Sequence, residues 1–185
     1  MLWSSGNCKL YLYEGLNEWQ KINHFPASHE LTRKDKLAVN VRNMQVKFGK
    51  ATFDFIPDTF VVPEEFGEFC NHFNQERKKT GKSSLWIVKP QNLSRGRGIY
   101  LIDDVAEISL DDPSVVSKYI GNPFLINGCK FDLRVYVLVT SFEPLKIYVF
   151  KEGLARFATH QYKDNAEKQD KFMHLTNYSI NKKSS

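Results

Sequence analysis

Apolar residues recur at helical spacing at Leu37, Val41, Met44 and Phe48, which predicts an amphipathic helix that opens near Thr32 and closes at Gly49. Thr32 with Asp35 three residues later has the form of a capping box. Phe66, Phe69, Cys70 and Phe73 repeat the stripe and predict a second helix, opened by Pro63, with Glu64 and Glu65 favouring its dipole. From Trp86 the period falls to two. Residues 86–89, 98–102 and 115–120 read as strands, and 122–129 as a turn region. Longer strands follow at 130–141 and 145–150, joined by "FEP". A second turn, "KEG" at 151–153, leads into a last strand at 154–159. Near the start, "KLYLYEG" (9–15) alternates enough to read as a short strand. The stretch 54–63 reads as extended, and the charged residues 163–171 as a mobile loop. Two helices followed by an antiparallel meander predict an α+β fold.

Composition changes this picture little. An apolar fraction of 42% with 14% aromatic suits a globular core. The formal charge of +5 favours an anionic partner: a nucleotide, a nucleic acid or an acidic segment. Cys8, Cys70 and Cys129 lie far apart without metal-ligand spacing, so they read as free structural thiols in a reducing compartment. No charged and apolar leader pattern opens the chain, and no apolar run approaches the roughly 20 residues of a membrane span. The sequons at Asn92 and Asn177 are therefore read as silent. "GKS" at 81–83 is not a Walker A motif, because Glu76 stands where its first glycine belongs. "SRGRG" lacks the repetition of an RNA-binding RGG tract.

Three stretches carry candidate chemistry. In "WIVKPQNLSRGRGIYLI", Ile87 and Lys89 share one strand face, Trp86 and Val88 the other. A lysine at the end of a buried strand needs an anion or exposure. Arg95, Gly96, Arg97 and Gly98 then form a basic loop able to wrap phosphate. Locally, this stands open against an exposed hairpin turn. In "KFDLR", Lys130, Asp132 and Arg134 fall on one face at steps of roughly 6–7 Å. Phe131, Leu133, Val135, Val137 and Val139 take the opposite side, read as facing the core. The charged row suits phosphate and carboxylate ligands, or else a surface salt-bridge ladder. In "HLTNYS", His174, Thr176 and Asn177 offer polar contacts, or a hydrogen-bonded turn. Arg156 is a candidate second carboxylate clamp.

Together the segments "NHFPASHELTRKDKL", "MQVKFGKATFDFIPDTFVVP", "WIVKPQNLSRGRGIYLI", "SKYIGNPFLINGCKFDLRVYVLVTSFEPLKIYVFKEGLARFAT" and "FMHLTNYSINKK" resemble the tubulin tyrosine ligase-like family, from Asn23 onward. "EGLARFAT" and "HLTNYSINKK" look most like its polyglutamylase branch. The resemblance implies an ATP-grasp fold: the end of an N-terminal lobe at 1–32, a central lobe at 33–128 and the start of a C-terminal lobe at 129–185. It implies ATP- and Mg²⁺-dependent ligation of free glutamate to glutamate side chains of acidic tubulin tails. A tail carboxylate is phosphorylated, and the amine of glutamate then displaces phosphate. Glycine or tyrosine ligation, and a non-catalytic tubulin- or nucleotide-binding module, are the alternatives.

Carried over residue by residue, the resemblance implies that Lys34, Lys89 and the loop from Arg95 to Gly98 contact nucleotide phosphate. Ser117, Lys118, Tyr119 and Ile120 would lie along adenine, mainly through backbone groups. The founding tyrosine ligase has glutamine in place of Ser117. Lys130 and Asp132 would face ATP and its metal, Arg134 and Arg156 would hold the acceptor carboxylate, and Thr176 and Asn177 would support the nucleotide. The family's own metal ligands come later than Ser185, so none is assigned and the chain is expected to be a fragment. The remaining expectations are a monomer in the cytoplasm on the cytoskeleton, at microtubules, with a cilium or flagellum basal body implied by family habit, and no nucleic-acid or membrane partner.

Overall fold

The computed structural model describes residues 1–6, 8–163 and 168–184. It has two compact units, Met1–Ile56 and Pro57–Ser185. The charged connection expected over 163–171 falls, at 164–167, outside the described residues.

The first unit contains α1 (Leu10–Glu14), α2 (His29–Thr32) and α3 (Lys34–Phe48), then a 3-10 turn at Lys50–Phe53. α3 ends at Gly49, where the sequence predicted, but its buried face is narrower than the apolar stripe. Asp35, Ala38 and Val41 are buried, whereas Met44 and Phe48 are exposed. The capping box does not form. Thr32 ends α2, and its hydroxyl donates to the Ser28 carbonyl at 3.1 Å. Asp35 is taken instead by Arg33, whose Nε and Nη2 reach its two oxygens at 3.1 and 2.8 Å. A charged two-pronged bond outcompetes a neutral hydroxyl cap. The segment 9–15 is a helical turn rather than a strand. Its amides close locally, with Gly15 N–H donating to Tyr11 O at 3.2 Å, and no described strand lies beside it.

The second unit opens with β1 (Thr59–Val62) and α4 (Phe66–Thr80). α4 begins after a turn at 63–65, later than predicted. The Glu65 carboxylate accepts from Val61 N–H at 2.7 Å and fixes that turn. β2 (Trp86–Pro90), β3 (Tyr100–Ile102) and β4 (Ser114–Lys118) follow. With β1 they form an antiparallel sheet in the order β1-β4-β2-β3. Alternation along β2 sorts its side chains. Trp86 and Val88 join Phe69 and Phe73 of α4 in a core with Val62, Ile102 and Val116. Ile87 faces the other way, with Leu101, Tyr119 and Leu175. Trp86 meets Phe69 edge-on at 5.1 Å and is fully buried.

β5 (Leu125–Ile126), β6 (Cys129–Phe142) and β7 (Leu145–Gln161) form a second antiparallel sheet. α5 (Lys171–His174) and α6 (Tyr178–Asn181) close the unit. Two expectations fail in the hairpin. "KEG" is not a turn: β7 runs straight through it, and Gly153 pairs with Val135. The register shift between Val135 and Val137 absorbs the extra β7 residues as a bulge. Gly153 is needed there, because a Cβ would lie 2.7 Å from the Arg134 carbonyl oxygen. Nor is the apolar side of β6 core-facing. Leu133, Val135 and Val137 are 65%, 53% and 56% exposed. Period two says which residues share a face, not whether anything covers it.

Trp86→Ala is expected to cost about 3–5 kcal/mol of unfolding free energy, and the exposed Leu138→Ala less than about 1 kcal/mol, in urea titrations. Comparable losses would contradict this placement of the core.

Candidate functional site

The candidate site draws on both sheets, the face of the first turned away from α4 and the β6–β7 hairpin of the second. β2 supplies Lys89, beside Ile87 in alternation. β6 supplies Lys130, Asp132 and Arg134. β7 supplies Arg156, in register with Asp132. The segment after α5 adds Thr176.

Arg156 and Asp132 form a two-pronged pair, Nε to Oδ1 at 2.7 Å and Nη2 to Oδ2 at 2.5 Å. Burial alone would raise the Asp132 carboxyl. Hydrogen bonds from Arg156 and the Thr176 side chain, with the charges of Arg156 and Arg134, outweigh it and hold the group below the usual carboxylate range. Arg134 is exposed and makes no ion pair among the described residues. One arginine is thus spent on the protein's own carboxylate, and its neighbour has a guanidinium to offer.

Lys130 is held differently. Its Nζ donates to the Tyr119 hydroxyl at 2.9 Å and sits 4.3 Å from the centre of that ring. Burial, then the nearby charge of Lys89, pushes its ammonium down from 10.5 to about 8, with Asp132 pulling the other way. The two positive charges disfavour one another. Tyr119 also meets His174 Nδ1 at 2.8 Å, and both residues are buried.

The loop from Ser94 to Gly98 closes over one end. Arg95, Gly96 and Gly98 have φ of 61°, 79° and 67°. Gly96 is buried against α6, where a Cβ would lie 2.3 Å from Ile180 Cδ1 and 3.0 Å from Asn177 Oδ1. The Ser179 hydroxyl donates to the Arg95 carbonyl at 2.8 Å. Beside the loop lies a cleft of about 930 Å³, lined among others by Arg95, Arg97, Lys171, Lys182 and Lys183.

Not every candidate joins this cluster. Ser117 is buried in the central strand β4, paired with Thr59 and Ile87, and its hydroxyl accepts from Thr59 Oγ1 at 3.1 Å. Lys118 pairs with Glu76 of α4, on the opposite side of the sheet. Tyr119 N–H is taken by the Leu85 carbonyl at 2.9 Å, while Ile120 is exposed. Lys34 belongs to the first unit, at the start of α3. Mg²⁺ finds no ready cage. Among the described residues no cluster of three His, Cys, Asp or Glu side chains could hold a metal, and Asp132 gives both oxygens to Arg156. Tyr162 was missed from the sequence. Its hydroxyl donates to the Gly121 carbonyl at 2.7 Å, and its side chain also hydrogen-bonds Tyr119. Lying just past the end of β7, it leaves no periodic signal. No helix of the described residues is long and apolar enough to cross a membrane.

Comparison with known proteins gives a consistent result. The family described as "Tubulin-tyrosine ligase family" matches residues 13–185. The whole chain is 51% identical to tubulin polyglutamylase TTLL5 of Homo sapiens, over 14% of that protein. Over 98% of the chain it is 45% identical to the probable tubulin polyglutamylase TTLL2 of Homo sapiens, covering 31% of it. Over 92% it is 42% identical to tubulin monoglutamylase TTLL4 of Mus musculus, covering 14%. The chain therefore spans well under half the length of these relatives.

Gly96→Ala puts a Cβ into Ile180 and strains a left-handed backbone, so the loop is expected to leave α6. Limited trypsin digestion should then cut at Arg95 and Arg97 several-fold faster. Between pH 8 and 10.5 the unfolded chain keeps a proton on Lys130 that the folded chain has released. Stability relative to Lys130→Met should therefore rise with pH across that interval in urea unfolding.

Proposed function

The chain belongs to the tubulin-tyrosine ligase family, and from that membership and this site we propose that it is the nucleotide-binding part of an ATP-dependent ligase that adds glutamate to glutamate side chains of tubulin tails. The observation that carries the reading is the gathering of charge where the two sheets meet: Lys89 of β2 acts on Lys130 of β6, whose strand also carries Arg134 and the Asp132–Arg156 pair. Under it the sheets take the places of ATP-grasp lobes, with 33–128 central and 129–185 C-terminal.

The chemistry asks for little covalent help from the protein. A γ-phosphoryl group passes from ATP to a tail carboxylate, releasing ADP and forming an acyl phosphate. The amine of glutamate attacks that carbonyl carbon, the amide forms, and phosphate leaves with the electron pair of the broken bond. Charge neutralisation and alignment supply most of the rate. Lys89 and Lys130 would neutralise phosphate oxygens, and the 95–98 loop would cover them with backbone N–H groups. Arg134 would hold the acceptor carboxylate, and Arg156 would fix Asp132. Mg²⁺, if it takes part, would need carboxylates beyond Asp132, and no step here is assigned to it. The protein would act on the cytoskeleton, where the substrate lies.

A second reading, a non-catalytic tubulin- or nucleotide-binding module, is favoured by one observation: the only carboxylate of the "KFDLR" row is already paired with Arg156. The readings part on glutamate incorporation. An ATP-binding protein that adds no glutamate to tubulin would be the module, and its tail binding should weaken steeply with salt.

Two substitutions test the division of labour. Lys89→Ala is expected to weaken ATP binding tenfold or more, because a charge-assisted contact is lost. Arg134→Ala should keep ATP affinity within about twofold and lower glutamate incorporation at least tenfold. Equal loss of ATP affinity in both would refute the assignment.

A further inference from the structure

Lys130 is a long side chain that loses much rotamer freedom when fixed. A cation meant to meet a ligand in one place needs something to hold it there. The adjacent carboxylate does not do so: Asp132 is bound by Arg156 and Thr176, and it acts on Lys130 through its charge rather than a hydrogen bond. The ammonium instead donates to Tyr119 and lies over its ring.

Tyr119 is itself fixed from every side. Its N–H donates to Leu85 O at 2.9 Å, its ring meets His174 edge-on at 5.4 Å, and its hydroxyl is 2.8 Å from His174 Nδ1. Tyr162 reaches the same hydroxyl and is anchored on Gly121 O. His174 is 4% exposed, lies edge-on to Tyr162 at 6.0 Å, and its N–H is capped by Asp170 O at 3.2 Å.

The partners are neutral or only weakly basic, and that matters for the ligand. A carboxylate holding Lys130 would cancel the charge that attracts an anion. A phenol orients the ammonium and leaves its charge available. Burial raises the Tyr119 phenol well above its usual range, so it does not become a competing anion.

We propose that Tyr119 and His174 are positioning residues: the phenol, steadied by the imidazole, holds the Lys130 ammonium in the place where it meets the nucleotide's phosphates. This rests on the reading of the site as an ATP site. The bland alternative is a satisfied core pair with no bearing on the ligand. The two differ in what removal of the hydroxyl does to phosphate-bearing and phosphate-free ligands.

The test uses the full chain, with ATP and adenosine affinities from calorimetric titration and competition, and thermal unfolding to confirm that each variant is folded. Tyr119→Phe keeps the ring and removes the acceptor. It should weaken ATP roughly 5- to 20-fold, as expected for a hydrogen bond to a charged group, and leave adenosine within about twofold. In a Lys130→Met background it should cost nothing more, since its action runs through that lysine. His174→Leu should reproduce the loss. His174→Asn, whose amide can stand near the place of Nδ1, should recover most of it. Equal weakening of ATP and adenosine by Tyr119→Phe would overturn the inference in favour of a structural role. So would an undiminished ATP affinity in Tyr119→Phe when Lys130→Met is weakened. If Lys130→Met itself leaves ATP binding unchanged, the ATP-site reading of Lys130 fails, and the positioning role falls with it.

Discussion

The pair between Asp132 and Arg156 is the point on which the site turns. The two residues stand directly opposite each other, inside a regular stretch of pairing from Phe131↔Phe157 to Val135↔Gly153. Register shifts bracket that stretch on both sides, between Cys129 and Phe131 and between Val135 and Val137. Bulges bend a strand and re-aim its side chains. The pairing is regular around Asp132 and Arg134, while Lys130 falls at the shift between Cys129 and Phe131. A slip of one residue would send Lys130, Asp132 and Arg134 to the wrong face, and a charged two-pronged bond across the strands opposes that slip.

The pair also decides which charges remain available. With its carboxylate bound to Arg156, Asp132 does not orient Lys130, and that task passes to Tyr119. Lys89 adds a second positive charge nearby, which helps depress the Lys130 ammonium. This arrangement costs stability in the folded chain. A structural ladder would alternate signs and settle its charges pairwise. Here Lys89 and Lys130 set like charges near one another across two sheets, and Arg134 is turned outward.

Much of this was legible in the sequence where one rule acted alone. The α4 stripe, the sorting of Trp86 and Val88 from Ile87 and Lys89, and the charged row on β6 follow from periods of 3.6 and two. The failures occurred where a local signal met a competitor. Thr32 lost Asp35 to Arg33. Gly153 marks a close backbone approach, though in sequence it reads as a turn. Leu133, Val135 and Val137 read as core-facing, but the described residues leave them exposed, and alternation cannot report cover. The Tyr119–His174 contact spans 55 positions, and the residues between carry no pattern that joins them.

The segment from His174 to Asn181 shows why a polar stretch that looks like a turn can matter more than its neighbours. Within eight positions it reaches Tyr119, Asp132, the 95–98 loop and β7. His174 steadies Tyr119, and the Thr176 side chain reaches Asp132. Asn177 and Ile180 leave room at Gly96 for nothing larger than hydrogen, and Ser179 holds the Arg95 carbonyl. Asn181 Oδ1 accepts from the Thr159 amide at 2.9 Å and ties the segment to β7. The 95–98 loop and the charged floor of the hairpin therefore share one support. A shift of this segment would move cover and floor together, because both are held by side chains only a few residues apart. The stretch combines directional bonds from His174, Thr176, Ser179 and Asn181 with the packing of Leu175 and Ile180, and the bonds fix the loop relative to the floor as packing alone would not.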